Sequence, residues 1–398
     1  MKIIHTADWH IGQTFFEYDR KQEHYLFLLW LKEQIKAQEA DVLLIAGDVF
    51  DSPNPSAESQ RAYYRFLKEV TTENPHLQIV VIAGNHDSAA RLEAPNPLLE
   101  EMNVIVKGVV KRTSEGEIDY EDLIVPLSCK GEPAAYCLAV PYLRQGDYPA
   151  AESYAVGINK MYETLYEQAK ERGLPIIAMG HLHAFGAELS DNDRSERTVV
   201  GGLEMVSPDS FAEGIAYTAL GHLHKPQRLA KRDNVRYAGA PLPMSFSEKN
   251  YKQGVDLVIL QDEVTIERLA FDTPVKLLSI PKEPKPLQEV LEEIRILPEG
   301  AVDALSPFLE IKVLLTEPEP SLRHQVEEAL QGKAVRLARI AATTPRQSGS
   351  ERVMTYEELQ TINPMDMAVD VFKKAFGGED MPAQMKSLLQ TVMQEIER

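Results

Sequence analysis

The sequence has 398 residues, 44% of them hydrophobic, with 61 acidic and 42 basic side chains and a formal net charge of −19. This hydrophobic content excludes extensive disorder. The charge argues against a protein that binds nucleic acid through its own basic surface, because Lys and Arg are the side chains that meet phosphate. Nucleic acid binding stays open only if metal ions or a partner subunit supply positive charge.

The length predicts two or three domains rather than a single core. No apolar run reaches the length of a membrane span, and the N-terminus lacks the layout of a signal peptide. The two cysteines, Cys129 and Cys137, are too few for a disulfide framework. We therefore expect a cytoplasmic protein with no membrane association.

Residues 1–275 alternate short apolar runs with helical patterns, which predicts an α/β domain with a layered sheet. The runs predict five buried strands, at residues 3–4, 42–46, 79–83, 176–179 and 216–220. A helix is predicted over residues 23–39, with one face formed by Leu26, Leu29, Trp30 and Ile35. A second helix is predicted over residues 57–70, with one face formed by Tyr63, Phe66, Leu67 and Val70.

The pattern changes after a proline-rich joint. Residues 276–344 are predicted to form a small α+β capping domain of βαβαβ order, with elements at 275–280, 287–297, 308–315, 321–330 and 335–342. Residues 345–398 are predicted to be a linker followed by a C-terminal pair of amphipathic helices. Gly377-Gly378 would end the first helix, and Pro382 would open the second. The methionine-rich apolar stripes favour binding to a partner over packing on the same chain.

Ligand-type side chains directly follow each of the five predicted strands. The segments are Asp8-Trp9-His10, Gly47-Asp48-Val49-Phe50-Asp51, Gly84-Asn85-His86-Asp87, Gly180-His181 and Gly221-His222-Leu223-His224. In an open α/β sheet the strand carboxyl ends gather at one edge, so these distant segments should converge. Residues i and i+2 of an extended segment point the same way, which would pair Asp8 with His10 and His222 with His224.

This mixture of imidazole and carboxylate groups suits a transition metal such as Mn, Fe or Zn better than Ca or Mg. One carboxylate can bridge two metal ions, and such a pair clamps the attacking and leaving oxygens of a phosphate. Asn85 and His86 are adjacent, so Asn85 could bind metal while His86 faces the scissile phosphate. Each motif alone is weak, but five in order at five strand ends are a specific pattern.

These motifs, in this order, resemble the calcineurin-like metallophosphoesterases. The longer segments 8–13, 84–92 and 219–227, and the order of the three domains, resemble bacterial nuclease subunits within that family. The resemblance implies a layered α-β-β-α sandwich and a DNA exonuclease and endonuclease. It also implies a partner ATPase of the structural-maintenance type, bound through the C-terminal helices, and a homodimer within a heterotetramer.

The resemblance further implies the roles of the site residues. One divalent ion, with manganese favoured, would be held by Asp8, His10, Asp48 and His224. A second would be held by Asp48, Asn85, His181 and His222, with Asp48 bridging. His86 would be the catalytic histidine. His183 is an alternative to His181, since it lies two residues further along.

Other polar residues have ordinary interpretations. Asp51 and Asp87 are expected to orient neighbouring ligands or backbone, His5 and His24 to be structural, and His76 and His324 to lie at the surface. A basic cluster after the last motif consists of Lys225, Arg228, Lys231, Arg232 and Arg236. A solvated hairpin turn is the default interpretation of this cluster, with DNA phosphate contact as the alternative. Tyr18, Arg20 and Arg91 are further candidates to flank a substrate.

Two other functions compete with a DNA nuclease. The first is a phosphoesterase for small nucleotides or phosphoproteins, which would not need a helical tail. The second is a catalytically dead scaffold, which is disfavoured because all seven metal-ligand positions carry suitable side chains.

Overall fold

The computed structural model describes residues 1–188, 205–317 and 319–344, together with Phe372, Pro382 and Met385. Met1–Thr344 forms one compact unit and Pro345–Arg398 a second. The predicted C-terminal helical pair lies outside the described residues. No helix within the described ranges is both long and apolar enough to cross a membrane.

The described residues contain seventeen β-strands, numbered here in chain order. They are β1 (Lys2–Thr6), β2 (Thr14–Phe15), β3 (Tyr18–Asp19), β4 (Val42–Ala46), β5 (Gln78–Ile82), β6 (Val104–Lys107), β7 (Ile124–Cys129), β8 (Glu132–Ala139), β9 (Ile176–His181), β10 (Ile215–Gly221), β11 (Gln227–Leu229), β12 (Arg232–Tyr237), β13 (Gly254–Leu260), β14 (Val264–Ala270), β15 (Leu277–Lys285), β16 (Phe308–Leu314) and β17 (Arg336–Thr343).

Seven α-helices lie between these strands in the same described ranges. They are α1 (Lys21–Gln38), α2 (Ala57–Glu73), α3 (Ala89–Glu93), α4 (Asn96–Leu99), α5 (Tyr154–Lys170), α6 (Leu287–Arg295) and α7 (Leu322–Ala329).

Two six-stranded sheets pack face to face. Their strand orders are β14-β13-β1-β4-β5-β6 and β11-β12-β10-β9-β8-β7. Apolar side chains such as Val80 and Met179 fill the space between the sheets. A second core lies between the first sheet and helices α1 and α2, and a third lies between the second sheet and α5. The expected α-β-β-α layering is therefore confirmed.

The two long helices of the first layer differ in how well the sequence predicts their buried face. In α2, the predicted face of Tyr63, Phe66, Leu67 and Val70 is buried. The Ser56 side chain caps its start by accepting a hydrogen bond of 3.0 Å from the Ser59 amide. In α1 the prediction is confirmed for Ile35 but wrong for Leu26, Leu29 and Trp30. The other buried residues of this helix are Glu23, His24, Phe27, Leu28 and Leu31.

The strand-helix order predicted for residues 276–344 is the order observed. Strands β15, β16 and β17 form a parallel three-stranded sheet, with α6 and α7 as the crossovers. A small aromatic cluster joins this sheet to the hairpin β2-β3, where the Phe15 and Phe308 ring centroids lie 4.6 Å apart. The boundary at residues 275 and 276 stays a prediction, since residues 1–344 form one compact unit.

Candidate metal centre

The ligand-type side chains follow strands of both sheets, not of one. Strands β1, β4 and β5 belong to the first sheet, and β9 and β10 to the second. The expectation of one open sheet edge was therefore incomplete. The five segments meet because the two packed sheets bring their strand ends to a common rim.

Four of the seven expected ligands have a positive φ angle, which residues other than glycine rarely adopt. The φ angles are 54° at Asp8, 46° at His10, 49° at Asp48 and 101° at His222. The argument from extended i and i+2 pairs was therefore wrong, because these segments turn in the left-handed region. Such strain costs about 1–3 kcal/mol per residue and concentrates at functional sites.

Asp48 lies at the centre of the cluster and is 1% exposed. Its Oδ1 accepts a hydrogen bond of 2.8 Å from the His86 amide. Its Oδ2 lies 3.7 Å from Nε2 of His10 and 3.3 Å from Nε2 of His181. One carboxylate oxygen therefore stands between two imidazoles that come from opposite sheets, which is the placement a bridging ligand needs.

Asn85 joins the histidines of the second sheet. Its Oδ1 lies 2.9 Å from Nε2 of His181 and 3.0 Å from Nδ1 of His222. Burial is the largest single influence on the pKa of His181 and lowers it, but the charge and hydrogen bond of Asp48, with smaller contributions from Asp8 and the Ala46 carbonyl, together raise this pKa to about 10. A cation bound here would neutralise Asp48 in place of that proton. Asp48, Asn85, His181 and His222 thus converge as expected, with a donor set that fits a transition metal.

The other side of Asp48 carries His10, His86 and His224. The His10 ring centroid lies 4.8 Å from that of His86 and 5.3 Å from that of His224. Within the described residues, Nε2 of the buried His10 makes no hydrogen bond. Asp8 lies between this group and the histidines of the second sheet: its Oδ1 accepts a hydrogen bond of 2.9 Å from the His222 amide and lies 4.0 Å from Nδ1 of His181. A buried ring nitrogen without a hydrogen-bond partner costs folding free energy unless it binds something else. Nε2 of His10 therefore fits a cation ligand on this side as well.

The structure favours His181 over its neighbour His183. The His181 ring is buried in the cluster, and its Nδ1 donates to the carbonyl oxygen of Ala46 at 2.9 Å. The His183 ring is half-buried, with its centroid 6.2 Å from that of His222. The Nδ1–H of His181 thus points into the backbone, which directs Nε2 at Asp48.

The glycine that follows β4 is needed for close approach. A Cβ at Gly47 would lie 2.2 Å from Nδ1 of His181, and Gly47 itself has a φ of 89°. Any larger residue would therefore push the second-sheet histidine away from Asp48.

Asp87 and Asp51 differ in role. Asp87 is buried and accepts hydrogen bonds from the amides of Val49, Phe50 and Gly84, so it ties the Asp48 loop to the Asn85 loop. Burial, followed by the charge of Asp48, raises the pKa of Asp87 to about 6. The Oδ1 of Asp51 lies 3.4 Å from Nδ1 of His10, and its carbonyl oxygen lies 2.9 Å from Nδ1 of His86.

Glu248 is a residue that the sequence analysis missed. It is fully buried in a 3₁₀ turn over Phe246–Glu248, and its Oε1 lies 3.3 Å from Nδ1 of His224. Its surrounding sequence, Ser-Phe-Ser-Glu-Lys-Asn, resembles an exposed polar turn, so no signal in the sequence marks it.

The predicted structural histidines are confirmed. His5 is buried, and its Nδ1 lies 2.8 Å from the Tyr217 hydroxyl. His24 is also buried, and its Nε2 lies 3.0 Å from the carbonyl oxygen of Trp9. His76 and His324 are exposed, as expected.

Most of the basic cluster is already paired. Lys225 pairs with Glu188, and Arg228 with Asp233. Arg232 donates to backbone carbonyls, and Arg236 pairs with buried Asp256. Ala230 and Lys231 form the tight turn between β11 and β12, with φ angles of 49° and 63°. The hairpin interpretation is confirmed, while DNA contact by this cluster stays a prediction.

The three further candidates for substrate contact lie in different surroundings. Arg20 is buried and bound to Glu23 and to the Pro243 carbonyl, so it is structural and cannot flank a substrate. The Tyr18 hydroxyl donates to the Leu337 carbonyl in the capping sheet. Arg91 is exposed and donates to the Asn54 side chain at 2.7 Å.

Comparison with known proteins places this centre in a family. Residues 1–226 match the family model described as calcineurin-like phosphoesterase. Residues 273–376 match a model described as type 5 capsule protein repressor C-terminal domain.

Several curated relatives are named as the SbcD component of the SbcCD nuclease. The relative from Rhodobacter capsulatus is 39% identical over 359 residues, which cover 87% of this chain and 88% of the relative. The Escherichia coli relative is 28% identical over 407 residues, covering 98% and 96%. The Bacillus subtilis relative is 32% identical over 269 residues, covering 65% and 66%. The chain belongs to the calcineurin-like phosphoesterases, as a metal-dependent phosphodiester hydrolase of the SbcD nuclease family.

Proposed function

We propose that this chain is the nuclease subunit of an SbcCD-type complex. It would cut duplex DNA ends as an exonuclease and hairpins or single strands as an endonuclease, in DNA repair and recombination. Two divalent ions, Mn²⁺ in preference, would be held by the seven ligands at the rim.

The observation that carries this proposal is the position of Asp48. Its Oδ2 lies between Nε2 of His10 and Nε2 of His181, so one carboxylate serves both sides of the cluster. Bound ions would supply the polarisation of the phosphate and the activation of a water molecule.

His86 is the proposed acid beside this centre. Its Nδ1 lies 2.9 Å from the Asp51 carbonyl oxygen, which can only accept, so the N–H is on Nδ1. Nε2 can then take up a proton and, in the imidazolium form, donate it to the leaving oxygen or stabilise charge on the phosphate.

The charge of the chain bears on how DNA would be held. The net charge is −19, and Lys225, Arg228 and Arg236 each pair with an acidic side chain. We therefore propose that DNA is held mainly by the bound ions and by a partner. That partner would be an SbcC-type ATPase bound through residues 353–398, in a heterotetramer built on a homodimer. The complex would be cytoplasmic and associated with the nucleoid.

The test of His86 uses end-labelled hairpin and linear duplex DNA with Mn²⁺. His86→Gln should slow cleavage by about 10²–10⁴-fold while Mn²⁺ binding persists, because His86 acts on a proton rather than on a metal. The matched control is His76→Gln, which alters an exposed histidine and should cut at the wild-type rate. Cleavage at an undiminished rate by His86→Gln would remove this residue from the mechanism.

The same assay separates the competing functions. A phosphoesterase for small nucleotides would hydrolyse a nucleotide phosphodiester and leave both DNA substrates intact. A scaffold would hydrolyse neither. For the partner, purification from cell lysate should recover an SbcC-type ATPase with the full chain and lose it when residues 353–398 are deleted.

A further inference from the structure

The buried Glu248 has few partners other than a metal-centre histidine. Its Oε2 accepts a hydrogen bond of 2.8 Å from the Met244 amide, and its Oε1 accepts one of 3.3 Å from the Ser245 hydroxyl. Among the described residues, its carboxylate lies within ion-pair distance of the His224 ring and of no Lys or Arg. A fully buried carboxylate without a basic partner is expensive, so its charge calls for a cation nearby.

The ring nitrogens that face away from the centre have unequal partners. Nδ1 of His224 lies 3.3 Å from the Glu248 carboxylate, and Nδ1 of His10 lies 3.4 Å from the Asp51 carboxylate. Nδ1 of His181 instead donates to the neutral carbonyl of Ala46 at 2.9 Å, and the Asp8 carboxylate lies further from it, at 4.0 Å. Two carboxylates therefore support the side that holds His10 and His224, whereas a neutral carbonyl supports His181 on the other.

We infer that the two cation positions are unequal, and that Glu248 is a positioning residue that makes the position of Asp8, His10, Asp48 and His224 the tighter one. This inference rests on the proposed two-ion centre.

The physical reason lies in the imidazole of His224. A carboxylate that holds the Nδ1–H fixes the tautomer and the ring orientation, so Nε2 presents its lone pair to the cation. The carboxylate also makes the imidazole more basic and therefore a stronger ligand. Loss of such a partner commonly weakens metal binding by about 10–100-fold.

The experiment measures Mn²⁺ binding to full-length protein freed of metal with a chelator, using the electron paramagnetic resonance signal of the free ion. Wild-type protein should show two classes of site. Glu248→Gln keeps the shape of the side chain but removes its charge, and should weaken the tighter class by about 10–100-fold while the weaker class stays unchanged. The matched control is Glu310→Gln, since Glu310 is also buried but pairs with Arg339 and Lys312 in the capping sheet.

A second variant assigns the classes independently of Glu248. Asn85→Ala should abolish the weaker class and retain the tighter one, since the Asn85 side chain contacts His181 and His222 of the second sheet, and no other ligand in the described part of the chain. Loss of the tighter class in Asn85→Ala would overturn the inference, and this result decides the matter even if Glu248→Gln does not fold. Two unchanged affinities in a folded Glu248→Gln protein would also overturn it. Failure of wild-type protein to bind two ions would instead overturn the proposed two-ion centre.

Discussion

The stability of this protein should depend on a histidine that remains neutral in the core. Burial, followed by the positive charge of Arg268, lowers the pKa of His5 from 6.5 to about 3. The unfolded chain therefore takes up a proton below pH 6.5 that the folded chain does not. Folding stability is fully present above pH 6.5 and is lost as pH falls from there toward 3.

The size of this effect follows from the pKa difference. Each pH unit below the unfolded value costs about 1.36 kcal/mol, so His5 should remove about 2 kcal/mol of folding stability at about pH 5. In His5→Gln the titrating group is gone, while a side-chain acceptor for the Tyr217 hydroxyl remains. The variant should therefore lose about 2 kcal/mol less than wild type between about pH 7.5 and pH 5.

The assay is urea unfolding of both proteins at the two pH values, with chelator present throughout. The difference between the two proteins cancels the contributions of all other titrating groups, including the metal ligands. An equal loss of stability in wild type and His5→Gln would refute the reasoning, because it would mean that His5 is not held neutral by the fold.

Three further predictions concern other buried groups. Asp256→Asn should cost about 3 kcal/mol in urea unfolding, because the buried Asp256 carboxylate lies 3.3 Å from Arg236 and 3.1 Å from Arg268 and its loss leaves both partly buried cations without it. A loss below about 1 kcal/mol would mean that both guanidinium groups are already hydrated enough not to need Asp256. Asp87→Asn should lower the free energy of unfolding by about 1–3 kcal/mol and weaken Mn²⁺ binding, because a single amide oxygen cannot accept hydrogen bonds from all three loop amides. Unchanged Mn²⁺ affinity would show that Asp87 does not position the metal-binding loops. Phe308→Ala should cost about 3–5 kcal/mol in thermal or urea unfolding, since its ring is fully buried; near-wild-type stability would contradict the packing of the capping sheet on the hairpin β2-β3.

The sequence predicted the strand ends and their ligand-type residues because each apolar run is short and is followed at once by Asp, Asn or His. The face of α1 could not be predicted in this way. Residues 26–31 are six consecutive apolar residues, so helical periodicity alone cannot choose which of them face the sheet. In the structure Phe27 and Leu31 are buried, while Trp30 is partly exposed and its ring centroid lies 5.1 Å from that of Phe271.

Buried charges were the other limit of prediction. Arg20 and Glu248 look like surface residues in the sequence, and only distant partners explain their burial: the Pro243 carbonyl for Arg20 and His224 for Glu248. The left-handed backbone at Asp8, His10 and Asp48 could not be predicted either, because none of these positions is a glycine. The surrounding tertiary structure holds these residues in a conformation that their sequence does not favour.

The ligands of the centre are divided between two sheets that share no backbone hydrogen-bonded strand pair among the residues that the structure describes. Ions held by Asp48 together with His181 would act as a reversible cross-link from one half of the sandwich to the other. Chelation should then loosen the whole domain rather than one loop, with faster amide exchange in β4 and β9 alike. Substitutions in the core between the two sheets, although remote from every ligand, would in turn change the affinity of the centre for the ions.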